Sequence, residues 1–464
     1  MDVASAIIRG DGASHMSESA DARPLPGPDG LPFVGSFLEF RRDPFAFYDD
    51  LREYGGVVGY RMMGYDMCSV LDPDAIEDVL LNEADAFQKP ALLGESLDDY
   101  MAEGVLLTEG EQWRAQRTML QPMFYRERVE GYGDLMADYA VEAAAEWASD
   151  GEVDVQSATS DLTLRILART LFDVDLDERA AVVREFADAV SEIGRAGSLE
   201  SQLPGWVPLP SRRRHRRAFE NFDDALRNLV DERRASGGSG DDTPDDLLTL
   251  LLDADYPDGS TPSETEIRDQ LMTFLFAGHE TTALALTWAF VLLERRPETY
   301  DRLRQEVDDV LDDDRAAVAD LPDLTYTDWV AREVLRLRPP AGALFREPRE
   351  DVELAGYHVP EGTMVVLPQF AVQTDPRFFE APEEFRPERW AGDLEDDLPD
   401  YAYFPFGGGP RHCIGMRFAA LELRLALATI VRNVDVSVRN PDVDPDLGTP
   451  FAPAEDVRAD VTER

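Results

Sequence analysis

The sequence predicts a mainly α-helical protein with a smaller β region, and three observations carry that expectation. From Glu111 to Arg234 the apolar residues recur mostly at helical spacing. Residues 261–297 read as one unusually long apolar helix with start and stop signals at its ends. Strand-like runs are short: Val57–Met62, Met67–Leu71, Val352–Leu354 and Thr363–Leu367, the last two set around the turn formers Gly356 and Pro360-Glu361-Gly362.

In chain order, residues 1–22 mix acids, Ser and Ala, carry no secretory signal, and are expected to be a disordered leader. Residues 23–464 are expected to form a single domain, entered through the stiff Pro24-Leu25-Pro26-Gly27-Pro28. Ala235-Ser236-Gly237-Gly238-Ser239-Gly240 reads as a flexible surface loop, because helical text resumes within a few residues. The long helix then starts at Thr261-Pro262-Ser263-Glu264, with Thr261 as N-cap, Pro262 at the first position and Glu264 at the third, and Arg296-Pro297 closes it. Its later part is apolar nearly all round, which places it through the middle of the molecule. Leu271–Leu293 is long enough to cross a bilayer. Its centre holds His279 and Glu280, an ionisable pair costly at membrane depth, so we read it as a core helix and expect no transmembrane anchor.

The chain of 464 residues carries 94 acids against 45 bases, a formal charge of −49, and Lys89 is its only lysine. Such self-repulsion opposes compaction in dilute buffer, whereas at ~1 M salt the screening length is only about 3 Å. The composition therefore implies a halophilic protein in a high-salt cytoplasm, and the acids, spread along the whole chain, exclude a nucleic-acid partner. Two cysteines, Cys68 and Cys413, make no disulfide framework and suit a reducing compartment. Cys68 reads as a small buried hydrophobe. The five histidines form no HxxxH and the cysteines no CxxC grouping, which excludes a zinc hydrolase and a covalent c-type haem. The basic run Arg212–Arg217 reads as the solvated start of a helix over a substrate pocket, or as a docking patch for anionic lipid or an acidic partner.

Cys413 ends Phe404-Pro405-Phe406-Gly407-Gly408-Gly409-Pro410-Arg411-His412-Cys413, just before the apolar-periodic run Met416–Val431. A helix N-terminus stabilises a thiolate, and three glycines let the backbone approach a flat ligand closely. Phe406, Gly409, Arg411, Cys413 and Gly415 reproduce FxxGxRxCxG, and the loop resembles the haem-binding loop of the cytochrome P-450 superfamily. The resemblance, to a halophilic, archaeal-type member, implies the P-450 fold with non-covalent haem b (iron protoporphyrin IX) between the long central helix and the Cys413 loop, the thiolate being the axial iron ligand.

Further motifs follow in the family's order. Ala277-Gly278-His279-Glu280-Thr281-Thr282 is similar to the oxygen-activation segment. Ala277 and Thr281 would share a face toward the haem, and Gly278 with the threonines would loosen the backbone ladder. By resemblance Thr281 hydrogen-bonds bound dioxygen and Glu280 relays protons. Glu333-Val334-Leu335-Arg336, with Arg389 of Phe385-Arg386-Pro387-Glu388-Arg389-Trp390, looks like the buried structural Glu-Arg-Arg cluster. Trp113, Arg117, Arg346 and Arg411 match the positions that hold the haem propionates, Arg346 by its distance after Pro339-Pro340. Gln373-Thr374 departs from the His-Arg of many relatives and puts local packing in doubt.

The implied activity is a monooxygenase reaction, hydroxylation or epoxidation of an apolar fatty-acyl, isoprenoid or carotenoid-like substrate. Electrons would come from a separate partner, a ferredoxin with its reductase or a flavoprotein, and the protein would be monomeric. The pocket would draw on residues 87–107, on the central helix near Phe274 and Ala277, and on Ala341–Phe345. The alternatives on the same fold are a peroxide-driven peroxygenase and a haem sensor or electron carrier. Glu280 and Thr281 favour the monooxygenase.

Overall fold

The computed structural model describes residues 23–90, 101–173, 210–235, 246–256, 258–446 and 450–464, with scattered positions between 182 and 189. The expected leader, most of the Ser-Gly loop and residues 91–100 of the expected pocket lie outside the described residues.

A hairpin opens the sheet. Strand β1 (Val57–Met62) turns through Met63 and Gly64, both at positive φ, into β2 (Tyr65–Val70). Two positive-φ residues make the tight turn whose twist matches that of the flanking strands. After β3 (Phe87–Gln88) come helices α1 (Gly110–Leu120), α2 (Gly133–Asp150), α3 (Val155–Phe172), α4 (Pro210–Ala235), α5 (Glu264–Glu294), α6 (Pro297–Val310) and α7 (Thr325–Leu337). Strands β4 (Leu344–Pro348) and β5 (Met364–Leu367) complete the sheet before α8 (Met416–Asn433). The strand order is β1-β2-β5-β4-β3, with β2 and β5 parallel and the other pairs antiparallel.

The expected strands stand where the alternation puts them, within two residues: β2 starts at Tyr65 rather than Met67. The cap of α5 differs from expectation. Ser263, not Thr261, is the N-cap: its backbone is extended and its hydroxyl accepts the N–H of Glu266 at 3.0 Å. A cap must sit where its side chain reaches the third helical N–H, and here Pro262 precedes it.

Helix α5 is 31 residues long and, from Thr282 to Leu293, buried throughout. By length and apolarity it could span a membrane, but most of its apolar stretch is covered by the rest of the protein. α3 runs against it through hydroxyls as well as apolar contacts. Thr163 donates to the carbonyl of His279 at 2.9 Å and Thr159 to that of Ala283 at 3.1 Å. Gly278 has a packing role: a Cβ there would meet the Leu167 methyl at 2.9 Å. The hydroxyls of Thr281 and Thr287 donate back to the carbonyls of Ala277 and Ala283, and the helix runs unbroken through this segment.

Two apolar clusters result. One joins α2, α3, α5, α7 and α8, with Phe406 and Ile414 packed on its edge. The other backs the sheet, with Leu344 and Phe345 on its edge. The Cys413 loop lies on the seam between them.

Candidate active site

The loop is shaped by close backbone approaches. Gly409 sits at φ +63, and a Cβ on it would lie 1.7 Å from the Leu80 carbonyl oxygen. A side chain at Gly408 would collide with the Tyr401 ring. The Cys413 N–H donates to the Phe406 carbonyl at 2.9 Å and closes the loop, after which Gly415 caps α8. Cys413 is accessible, yet burial pushes its thiol pKa up. Both hold only if the sulfur lines an internal hollow. The Gly415 N–H and the Arg117 cation act in the opposite direction and favour a thiolate.

The same signature recurs on α5. Ala277 is exposed in the middle of a helix that is otherwise covered, and Phe276, Gly278 and Thr281 beside it are half-buried. The Thr281 hydroxyl donates to the Ala277 carbonyl at 2.9 Å, on the face where Ala277 is exposed. Glu280 is buried one residue away. His279 Nδ1 donates to the Leu275 carbonyl at 2.8 Å, and burial lowers its pKa, the state of a packed core histidine. Phe274, one turn before Gly278 on α5, is buried and stacked on Phe124 with ring centroids 5.4 Å apart.

One edge of the seam is crowded with cations. The Arg411 guanidinium lies 4.2 Å over the Trp113 ring and pairs with Glu109 at 2.8 Å. Arg117 donates to His412 Nε2 at 3.1 Å, and His412 Nδ1 faces the Gly409 carbonyl at 2.9 Å. Arginine can only donate, so the proton of His412 sits on Nδ1. Among the described residues the Arg346 side chain bonds the Phe345 carbonyl alone, and burial, with the Arg411 charge, lowers its pKa to about 10. Lys89, lowered to about 7 by burial and by Arg411 and Arg346, has no carboxylate salt bridge among the described residues. A cleft of about 260 Å³ lined by Phe87, Glu109, Trp113, Arg346 and Arg411 opens beside them.

The expected Glu-Arg-Arg cluster is assembled without loose ends. Glu333 Oε1 accepts from Arg336 Nη2 and Arg389 Nε, both at 2.8 Å, and Oε2 accepts from Arg336 Nε at 2.9 Å and the Trp390 indole at 3.0 Å. The remaining guanidinium donors meet the carbonyls of Gln373, Pro382, Glu380, Ala381 and Glu384. Gln373, where packing was in doubt, is fully buried: its amide donates to the carbonyls of Leu335 and Arg336 and accepts the Phe404 N–H at 2.9 Å. It ties this cluster to the Cys413 loop.

Four residues here were not singled out from sequence: Lys89, Glu109, His412 and Glu422. Glu422, nine residues past Cys413 on α8, is fully buried with the Thr282 hydroxyl beside it. Burial holds its pKa far above the usual carboxylate range. For Lys89 one signal was available, its being the sole lysine.

These residues fit the haem that the resemblance implies. A soft sulfur ligand and a small-residue helix face line the hollow, and the cations at its edge outnumber their carboxylate partners among the described residues, as two propionates would require. Haem would be held by Cys413, Trp113, Arg117, Arg346 and Arg411, with Phe406, Gly409, Gly415 and Ala277 along its faces.

The comparisons agree. The family model described as Cytochrome P450 matches residues 25–452. The chain is 34% identical to pentalenene oxygenase of Streptomyces avermitilis, over 90% of this chain and 92% of that one. It is 33% identical to cyclooctatin synthase of Streptomyces melanosporofaciens, over 87% and 88%. A solved structure, the retinoic acid bound cyanobacterial CYP120A1, superposes with a TM-score of 0.83 at 26% identity, covering 96% of this chain and all of that one. The protein belongs to the cytochrome P450 family, the haem-thiolate monooxygenases.

Proposed function

We propose that this chain oxygenates an isoprenoid-class apolar substrate by hydroxylation or epoxidation, in a high-salt cytoplasm. The observation that carries the reading is that Cys413 is accessible at the start of α8 while Ala277 and Thr281 form an accessible patch in the middle of the covered helix α5, which packs against α8. The substrate class draws on the relatives' names: pentalenene, cyclooctat-9-en-7-ol and retinoic acid are all isoprenoid in chemistry. The catalytic domain is taken to begin near residue 23. Electrons come from a separate partner, a ferredoxin with its reductase or a flavoprotein.

Haem, when bound, supplies the iron chemistry that activates dioxygen. The chain does the rest. Cys413 gives up its proton to become the ligand, with Gly415 N–H and Arg117 stabilising the anion. The Thr281 hydroxyl orients the reactant and the Glu280 carboxyl moves protons, a division set by the fact that a carboxyl exchanges protons near neutrality and a hydroxyl does not. Phe276, Leu344 and Phe345, half-buried at the seam, exclude water from the apolar substrate.

The test is the ferrous carbon-monoxide difference spectrum in molar KCl, for wild type and Cys413→His. A red-shifted thiolate-type Soret band that the variant lacks is expected, and a histidine-type band in the wild type would overturn the reading. Dilution to low salt should abolish the band as the acidic surface loses its screening. In the same preparation Glu280→Gln should slow product formation ~100-fold while the thiolate band stays.

A further inference from the structure

We propose that Gln116 and Gln270 are positioning residues that fix segment 103–108 as a wall of the substrate pocket and so decide how tightly the site holds an apolar ligand; this rests on the active site proposed above. Gln116 on α1 and Gln270 on α5 are fully buried. The Gln116 amide oxygen accepts the Thr108 hydroxyl at 2.6 Å, and its nitrogen donates to the Glu103 carbonyl and the Glu266 carboxylate, both at 2.7 Å. Gln270 accepts the Val105 N–H at 3.0 Å and donates to the Glu103 carbonyl at 3.3 Å. Asp269 beside it accepts the Glu103 N–H at 2.9 Å. The segment thus takes its position from side chains of α1 and α5.

Its two ends are pinned at two landmarks of the site. Gly104 lies so close to α5 that a Cβ would meet the Thr273 hydroxyl at 2.1 Å, and Thr273 stands one helical turn before Ala277. At the other end the Thr108 carbonyl accepts from both terminal nitrogens of Arg411 at 3.2 Å. Between these ends Val105, Leu106 and Leu107 are apolar and half-buried, the kind of surface an apolar substrate meets. An apolar contact holds two surfaces together in many registers, whereas hydrogen bonds to the Glu103 and Val105 backbone act at one distance and direction. The two glutamines therefore fix where the three apolar side chains stand.

The experiment uses holoprotein in molar KCl and follows the Soret shift on titration with two ligands of the iron, imidazole and phenylimidazole, which differ by one apolar ring. Gln270→Met keeps the volume and removes the amide. It should weaken phenylimidazole about tenfold while imidazole binds as to wild type, and Gln116→Met should do the same. Gly104→Ala leaves every amide in place but pushes the segment off Thr273, and a similar loss confined to phenylimidazole is expected. Should the glutamine variants fail to take up haem, Gly104→Ala decides alone. Unchanged phenylimidazole affinity in variants that keep the thiolate band would overturn the proposal, as would equal weakening of both ligands. Failure of the active-site reading is separate, since it would show as a wild type with no thiolate band.

Discussion

The cluster at Glu333 and the cluster at Arg346 both bury cations, and they differ in how the charge is balanced. Around Glu333, both carboxylate oxygens and the guanidinium donors of Arg336 and Arg389 find partners, two of the side chains being fully covered. In the other cluster Arg346, Lys89 and Arg411 share one carboxylate, Glu109, among the described residues, and Arg117 beside them bonds the neutral His412 ring. A closed network holds chain to chain, here α7 to the segment before the Cys413 loop. An open one destabilises the empty fold and is kept for what binds there.

The difference can be broken experimentally. Glu333→Ala should give the largest effect, because two buried arginines and the Trp390 indole lose their acceptor together. Loss of ~3–5 kcal/mol is expected, read as little folded holoprotein in a molar-salt preparation; normal haem incorporation would remove the closed-network assignment. Arg346→Gln should act in the opposite sense on the two states. It relieves repulsion with Lys89 and Arg411, so the haem-free chain should melt no lower than wild type, while haem retention weakens by about 1.5–3 kcal/mol. If both states were destabilised alike, Arg346 would belong with the closed cluster.

The smallest effect sharpens the comparison with a neutral case. Glu422 is also buried, with the Thr282 hydroxyl beside it and no salt bridge among the described residues, and its raised pKa means the folded state keeps a proton that the unfolded chain releases near pH 4.3. Stability from this group is therefore full below about pH 4.3 and lost as pH rises through the folded value. Glu422→Gln carries no such proton, so its melting midpoint should gain on the wild type between pH 5 and 8. Parallel midpoints would mean that Glu422 is ionised in the fold.

Much of the site was legible because its residues sit at fixed spacing within single elements. The five positions of the Cys413 loop, Glu333 with Arg336, and Ala277 with Thr281 are each set by one turn or one helical repeat, which local sequence determines. The sheet hairpin was legible for the same reason, although Met63 at positive φ shows the turn tolerating a residue that pattern alone would not choose. Thr261 was taken for the cap of α5 because the sequence holds two candidate hydroxyls, and only the path of the chain past Pro262 chose Ser263.

Other features depend on elements far apart in sequence. Gly278 looked like a flexible point and is a contact, since α3 brings Leu167 against it. Glu422 has the look of a solvent-facing helix residue in Ala-Leu-Glu-Leu-Arg until α5 packs over it. Lys89 carries no motif, and its surroundings come from the fold, which brings Glu109, Arg346 and Arg411 near it. The sequence by itself determined the helical body, the Gly-rich loop before α8, the Ala277–Thr281 spacing on α5 and the acidic composition, because each follows from composition or from spacing within one element. Tertiary structure alone decided which buried charges are answered and which are left open, because burial and Coulomb interaction depend on distance in space and not along the chain.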